Sequence, residues 1–212
     1  MKLTVHTFLT IDGVMQGPGG AEEDTSGGFE RGGWLVPHVD AGFGEIVESW
    51  FHKADAFVLG RTTYEMMFPY WSQVSEADNL VAEKLNGLPK YVASSTLTNP
   101  SWQHTTVLSG DVIEQIRSLK NEPGGELQVH GSAALARALH AAGLVDEYRL
   151  LVFPVLVGQG KRLFTDDMPA TGLRLLESRV TPAGVTYSAL SPTEFGVGGL
   201  TVVDGKEQSN PG

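Results

Sequence analysis

The chain has 212 residues, 41% apolar and 19% charged, which is enough for one large domain with a proper core and unlike a disordered chain. With 25 acidic against 15 basic side chains the net charge is −10, which weighs against nucleic-acid binding through an overall field, because phosphate neutralisation needs clustered Lys and Arg. The absence of cysteine excludes disulfides, thiolate zinc sites and cysteine nucleophiles. The first residues, MKLTVHTFLTIDG, lack the apolar core of a signal peptide, and no window has the ~18 apolar residues of a membrane span. These features predict a cytoplasmic protein with a small-molecule substrate, no nucleic-acid partner and no membrane.

Residues 2–9 read as a β-strand with Leu3, Val5, Thr7 and Leu9 on one side and His6 and Phe8 on the other. A glycine-rich stretch follows, too glycine-rich for a helix or strand interior, yet Phe29 and Trp34 within it argue against a plain linker. It reads as a lid or binding loop. Residues 38–53 place Val39, Phe43, Val47 and Trp50 at helical spacing, and 56–59 make a short buried strand. Residues 62–67 look helical, and 75–87 form an amphipathic helix stopped by Asn86-Gly87. Strands at 90–95 and 105–108, a helix at 111–120, a strand at 126–131, a helix at 132–143 closed by Gly143 and a long strand at 147–157 complete the alternation. Residues 173–190 read as a hairpin turning at Pro182-Ala183-Gly184, and the last ten or so residues are expected to be mobile. The order predicts an α/β fold, with a mostly parallel central sheet flanked by helices and an antiparallel hairpin at its edge.

Ligands of open α/β sheets bind outside the carboxyl ends of the strands. Three strand ends here carry small hydrogen-bonding residues: Gly60-Arg61-Thr62-Thr63, Ser94-Ser95-Thr96 and Gly131-Ser132-Ala133-Ala134. Each alone reads as a turn or a helix cap. Together they suit an extended ligand with several phosphates, held partly by free N–H groups at helix starts. No G-x-G-x-x-G, Walker loop or G-x-S-x-G elbow is present, and the six histidines show no metal-ligand spacing. His130, at a strand end, reads as a packed, hydrogen-bonded histidine.

The segments ADAFVLGRTTYE, KYVASST and GELQVHGSAALARALHAAGLVDEYRLLVFPVLVGQGKRLF resemble the dihydrofolate reductase-like superfamily. More closely they are similar to the C-terminal reductase domain of the bifunctional riboflavin-biosynthesis deaminase-reductase. The resemblance spans residues 2–190; it implies a reductase domain over 1–190 and leaves 191–212 as a tail. It implies NADPH as cofactor, with phosphates held by Gly60, Arg61, Thr62 and Thr63, the 2′-phosphate by Ser94 and Ser95 with Arg61, and the pyrophosphate by Gly131, Ser132 and Ala133. Backbone around Leu9 and Ile11 would face the nicotinamide amide. The segment WLVPHVD resembles the Trp-x-x-Pro run that precedes the acid of dihydrofolate reductase, making Asp40 the catalytic candidate; a helix-start carboxylate favoured by the dipole fits it as well. Asp12 is a second candidate for substrate contact, or a turn residue.

The best-known reaction of that branch reduces 5-amino-6-(5-phosphoribosylamino)uracil, whose phosphate could meet Lys161 and Arg162 if these are not simply exposed loop charges. Dihydrofolate or pterin reduction is the alternative substrate class, and a non-catalytic NADPH-binding module the alternative of another kind. The strand at 147–157 and the hairpin after it form either a homodimer face or the core and edge of the sheet.

Overall fold

The structure, a computed structural model, describes residues 1–210. Its strands in chain order are β1 (Lys2–Thr10), β2 (Ala54–Gly60), β3 (Lys90–Ala93), β4 (Thr105–Leu108), β5 (Glu126–Val129), β6 (Glu147–Phe153), β7 (Gly172–Val180), β8 (Thr186–Thr193), β9 (Gly199–Val203) and β10 (Lys206–Asn210). The helices are α1 (Ala41–Phe51), α2 (Arg61–Trp71), α3 (Leu80–Gly87), α4 (Val112–Asn121) and α5 (Ala133–Ala141). Eight strands form one sheet in the order β4-β3-β2-β5-β1-β6-β8-β7. The first six run parallel, and β8 and β7 close the edge antiparallel.

Both faces of the parallel part are covered: β2 reads as a near-continuous apolar run, and β5 is buried at all four positions although Glu126, Leu127, Gln128 and Val129 alternate in polarity. On β1, Leu3, Val5 and Leu9 enter the core under α4 and α5, with Ile116, Leu135 and Leu139. Phe8 packs on the opposite side, against Trp50, Phe153 and the core that α1 and α3 cover. Near the start of the strands Arg149 is buried between Glu126 and Glu147, and Lys2 also reaches Glu147. Such a network strongly destabilises when one partner is removed, because it leaves an unpaired buried charge.

The structure corrects several boundaries. β6 stops at Phe153 rather than 157, since Pro154 has no N–H to continue the ladder. α1 begins at Ala41, and Val39, expected on its buried face, lies before the helix and is exposed. α2 runs on to Trp71 through Pro69, which lacks the N–H that would bond to Glu65 O and so removes one rung of the ladder two residues before the helix ends. The chain between 75 and 78 is not helical, and α3 starts after the Asn79 cap. The tail is not without structure: β9 and β10 pair through Asp204-Gly205, both at positive φ (51° and 73°), the geometry of a tight two-residue hairpin turn. All ten of its strand residues are exposed. Pro211 and Gly212 lie outside the described residues.

Candidate functional site at the carboxyl edge of the sheet

The strand order places the ends of β3, β2, β5 and β1 side by side, so Ser94-Ser95, Gly60 to Thr63, Gly131 to Ala133 and Leu9 to Ile11 fall in one row. At the usual strand spacing the row spans about 14 Å. The two glycines make the close approach in its middle possible. Gly60 N–H donates to Gly131 O at 3.1 Å, extending the β2–β5 ladder by one step. A Cβ on Gly60 would lie 2.6 Å from Ser132 Oγ, and one on Gly131, at φ +130°, would lie 2.8 Å from Thr63 Oγ1. The starts of α2 and α5 are therefore packed against each other.

Capping separates these two helices from the rest. Asp40, Asn79 and Asp111 cap α1, α3 and α4 by accepting from Phe43, Ala82 and Glu114 N–H at 2.8–3.0 Å. Ser132 caps α5 only through a 3.4 Å contact with Leu135 N–H, and α2, begun by Gly60, has no side-chain cap. Neither α2 nor α5 has an acidic residue in its first turn, whereas α3 and α4 have Glu83 and Glu114 there. Two adjoining helix starts with spare N–H donors and no carboxylate make a local anion site on an acidic protein. The residues present fit a pyrophosphate.

Around it, the Arg61 guanidinium is paired along its own helix with Glu65 at 3.0 Å, and both side chains are about half exposed. Ser94 Oγ accepts from Thr96 and Leu97 N–H at 3.1 and 2.9 Å, closing the turn after β3 and leaving its own O–H free to donate. Ser95 is exposed. On the far side of β5, pairing to β1 ends at Val5–Val129, whereas β1 remains paired to β6 as far as Thr10–Phe153. The last residues of β1, Leu9 included, thus border a slot in the sheet beside Gly131. Ile11 is exposed, and its N–H is taken by Val155 O at 3.0 Å.

The two catalytic candidates turn out to hold backbone. Asp40 accepts from Phe43 N–H at 2.8 Å with one oxygen and from Ala183 N–H, in the β7–β8 turn, at 2.7 Å with the other. The Phe43 and Ala183 N–H groups keep its carboxyl below the ordinary range. Asp12 accepts from Thr10 Oγ1 at 2.6 Å, Val157 N–H at 3.3 Å and Gly158 N–H at 2.7 Å. Burial pushes the Asp12 carboxyl up, but those hydrogen bonds together outweigh it and hold it low. A general acid near neutral pH needs a raised pKa, and both carboxyls are shifted the other way.

The glycine-rich loop is stitched down rather than loose. Val14, Phe29 and Trp34 are buried; Trp34 Nε1 donates to Gln16 O at 2.8 Å, and Gln16 Nε2 donates to Asp24 and Ser26 carbonyls at 3.0 and 2.9 Å. Gln16 Oε1 accepts from Lys161 N–H, and Lys161 Nζ pairs with Asp24 at 2.6 Å. The loop and residues 157–162 form one pad beyond the ends of β1 and β6.

Two arrangements escaped the sequence reading. His6 and His130 stack at 4.9 Å between Trp50 and Phe51, directly below Gly131, with His130 Nε2 donating to Gln128 Oε1 at 3.0 Å. His130 is the packed histidine expected; its partner on β1 was legible only as an inward position. Away from the edge, beside α5, a cavity of about 240 Å³ is bordered by a chain from Tyr148 Oη to His140 Nδ1 (2.7 Å) and from His140 Nε2 to Thr171 Oγ1 (2.9 Å). Its polar atoms are satisfied among themselves, since Thr171 Oγ1 donates on to Pro169 O at 3.0 Å.

This sheet order with paired helix starts beside β2 and β5 is that of a dihydrofolate reductase-like fold. Dihydrofolate reductase from Enterococcus faecalis complexed with NADP(H) superposes with a TM-score of 0.56 at 16% identity, covering 91% of this chain and 97% of that one. A putative riboflavin biosynthesis protein from Shewanella sp. PV-4 superposes with a TM-score of 0.66 at 19% identity over 92% of this chain and all of that one. The chain belongs to the RibD C-terminal domain family, whose profile matches residues 1–187. The uncharacterized protein YyaP of Bacillus subtilis (strain 168) is 26% identical over 186 residues, 87% of this chain and 91% of YyaP.

Proposed function

We propose that the chain is an NADPH-dependent reductase of a small nitrogen heterocycle, of the kind handled in riboflavin biosynthesis, with pterins as the second substrate class. The observation that carries the reading is the pair of abutting, weakly capped helix starts at Gly60 and Gly131. In this reading Gly60, Thr62, Thr63, Gly131, Ser132 and Ala133 hold the pyrophosphate. Ser94, Ser95 and Arg61, on the neighbouring strand ends, receive the 2′-phosphate, with Arg61 swinging from Glu65. Leu9 and Ile11 border the slot for the nicotinamide ring, and the Ile11 carbonyl is the backbone group left to face its amide. The cofactor, when bound, supplies the hydride; the protein's contribution is orientation beside β1 and a fixed electrostatic environment. With Asp12 and Asp40 both spent on backbone donors, the matching proton comes from solvent.

Titration followed by nicotinamide fluorescence should show saturable NADPH binding, with NADH weaker. Binding of neither cofactor would reject the reading. The committed carboxylates also favour a second one, a cofactor-binding module without catalysis. Steady NADPH oxidation with any heterocycle of a pyrimidine and pterin panel would eliminate it.

A further inference from the structure

We propose that the C-terminal hairpin β9–β10 is an exchange arm through which two copies of the chain dimerise, each arm covering an apolar sheet face on the other copy. That face lies on β7 and β8. By the pairing register, Leu173, Leu175 and Val180 of β7 stand opposite Pro192, Leu190 and Thr186, on the same side of the sheet as Tyr148 and Val152 of β6. Farther in, α4 and α5 cover this side, and Tyr148 joins their core. Beyond β6 the cover stops: Leu173, Leu175 and Val180 are 42%, 57% and 70% exposed, with Leu190 and Val152 half-buried behind them. The opposite side of β7 carries Arg174, Glu177 and Arg179, as a solvated face does. At its Leu173 end the apolar face runs into the cavity of about 240 Å³, through Tyr148, Phe164 and Met168. An outer strand with its apolar side bare marks a place for a partner rather than for water.

The same chain carries an apolar element with nothing to cover. All ten strand residues of β9–β10 are exposed, and among the described residues its hydrogen bonds stay within the hairpin. Leu200 and Val202 flank Thr201 and so share one side of β9; Phe195 and Val197 precede them, and the four are 59–74% exposed. A lone two-stranded hairpin is marginal in water, so this one needs a surface to hold it. It lies beyond residue 187, where the match to the family's profile ends. A second copy is the occupant that satisfies both elements at once. Each protomer gives one arm and receives one, the two-fold closes, and no apolar face is left to propagate. The placement allows it: the arm departs from Thr193, paired with Gly172 beside Leu173, and the link over residues 194–198 reaches about 17 Å. The area suffices as well. Leu173, Leu175, Val180, Phe195, Val197, Leu200 and Val202 together expose on the order of 800 Å² per protomer, about the per-partner share of a standard interface.

Sedimentation equilibrium should show the wild type as a dimer. Leu175→Asp on the face and Val202→Asp on the arm should each raise its dissociation constant by about tenfold or more. Both positions are exposed in the protomer, so the circular-dichroism spectrum should not change. The chain has no cysteine, so introduced ones report the contact directly. Leu175→Cys protein mixed with Val202→Cys protein and treated with a short bismaleimide should give a covalent dimer, joined between positions 175 and 202 by peptide mass spectrometry. The doubly substituted chain separates exchange from folding back: its link should form between chains. A wild type that is not a dimer, a dimer that either aspartate leaves intact, or a 175–202 link formed only within one chain overturns the proposal. None of these outcomes depends on cofactor binding, so the arm is tested apart from the reductase reading.

Discussion

From β3 to β5 the carboxyl edge is made of glycine, serine and threonine, with helix starts left open and no acid in their first turns; from β1 to β6 it is made of exposed aliphatics, aromatic rings and carboxylates already bound to backbone. The first half exposes backbone donors, which suits a ligand whose phosphates are the same in every reaction. The second exposes side chains, which can be changed without touching the sheet. On a protein with a net charge of −10, the two glycine-dependent helix starts are where the proposed reading puts the cofactor's phosphates. Substitutions in the two halves should therefore fail in different ways.

The largest effect is expected at Gly131. Valine there meets Thr63 at 2.8 Å or less and must adopt φ +130°, a conformation open in practice to glycine. Overpacking and backbone strain together cost about 2–5 kcal/mol, so urea unfolding should shift strongly and NADPH binding should vanish. Gly60→Ala, at ordinary φ but 2.6 Å from Ser132 Oγ, should be milder at about 1–3 kcal/mol. Gly44→Ala is the control from the other half: nothing lies within 4 Å of its Cβ, and a helix interior gains about 0.5–1 kcal/mol from the change. Equal losses at Gly44 and Gly60 would mean that the packed helix starts have no special role.

Next comes Arg61→Ala. Hydrogen bonds to a charged group contribute about 1.5–3 kcal/mol, so NADPH binding should weaken by roughly 10- to 150-fold, with NADH changing far less. The exposed pair with Glu65 contributes only about 0.3–0.5 kcal/mol, so it is a weak restraint on the guanidinium. Equal losses for both cofactors, read by nicotinamide fluorescence, would move Arg61 from the 2′-phosphate to the fold or the pyrophosphate.

The seam between the halves is the His6–His130 stack. Burial and the Arg149 charge lower His130 to about 3, and burial followed by the His130, Arg149 and Lys53 charges lowers His6 well below its ordinary value. Both folded values lie below the unfolded ~6.5, so the stability they contribute is fully present above about pH 6.5. It is lost as pH falls toward 3, as the unfolded chain takes up protons that the fold excludes. Thermal unfolding should show a falling midpoint from pH 6.5 downward, and His130→Gln should flatten that slope. A midpoint constant down to pH 4 would contradict burial of the stack.

How legible this was follows the range of each interaction. The alternation of Leu3, Val5 and Leu9 against His6 and Phe8 names the two faces of β1 correctly, because strand periodicity is local. Ser132 at a helix start and Gly143 just past its end, at φ +65°, are local signals too. The three phosphate-friendly strand ends could be read singly, but their order in space could not: β5 enters between β2 and β1 from 66 residues beyond Gly60. The local roles of the two acids, a helix start for Asp40 and a turn for Asp12, could be read, but their second partners were hidden for the same reason, since Asp40 meets Ala183 and Asp12 meets Gly158 across 143 and 146 residues. The tail was a different failure. Asp204-Gly205 between Val203 and Lys206 is a short-range hairpin signal, overlooked among neighbouring glycines and polar residues.

The smallest effect separates the two readings of Asp40. As a cap, its loss frees the Phe43 and Ala183 N–H groups and loosens the start of α1 from the β7–β8 turn. Asp40→Ser restores an oxygen that reaches the helix N–H but not Ala183, so its stability should fall between wild type and Asp40→Ala. Turnover, assayed as NADPH oxidation on whichever heterocycle the panel yields, should follow the same order and drop by less than about tenfold, mostly in KM, because the residue positions the start of α1 rather than the proton. A general acid would behave otherwise: serine cannot replace it, and both variants would lose about 10²–10⁴ in kcat whatever their stability. Equal, deep losses of kcat in a well-folded Asp40→Ser would therefore return Asp40 to the chemistry and leave the β7–β8 contact as its mere support.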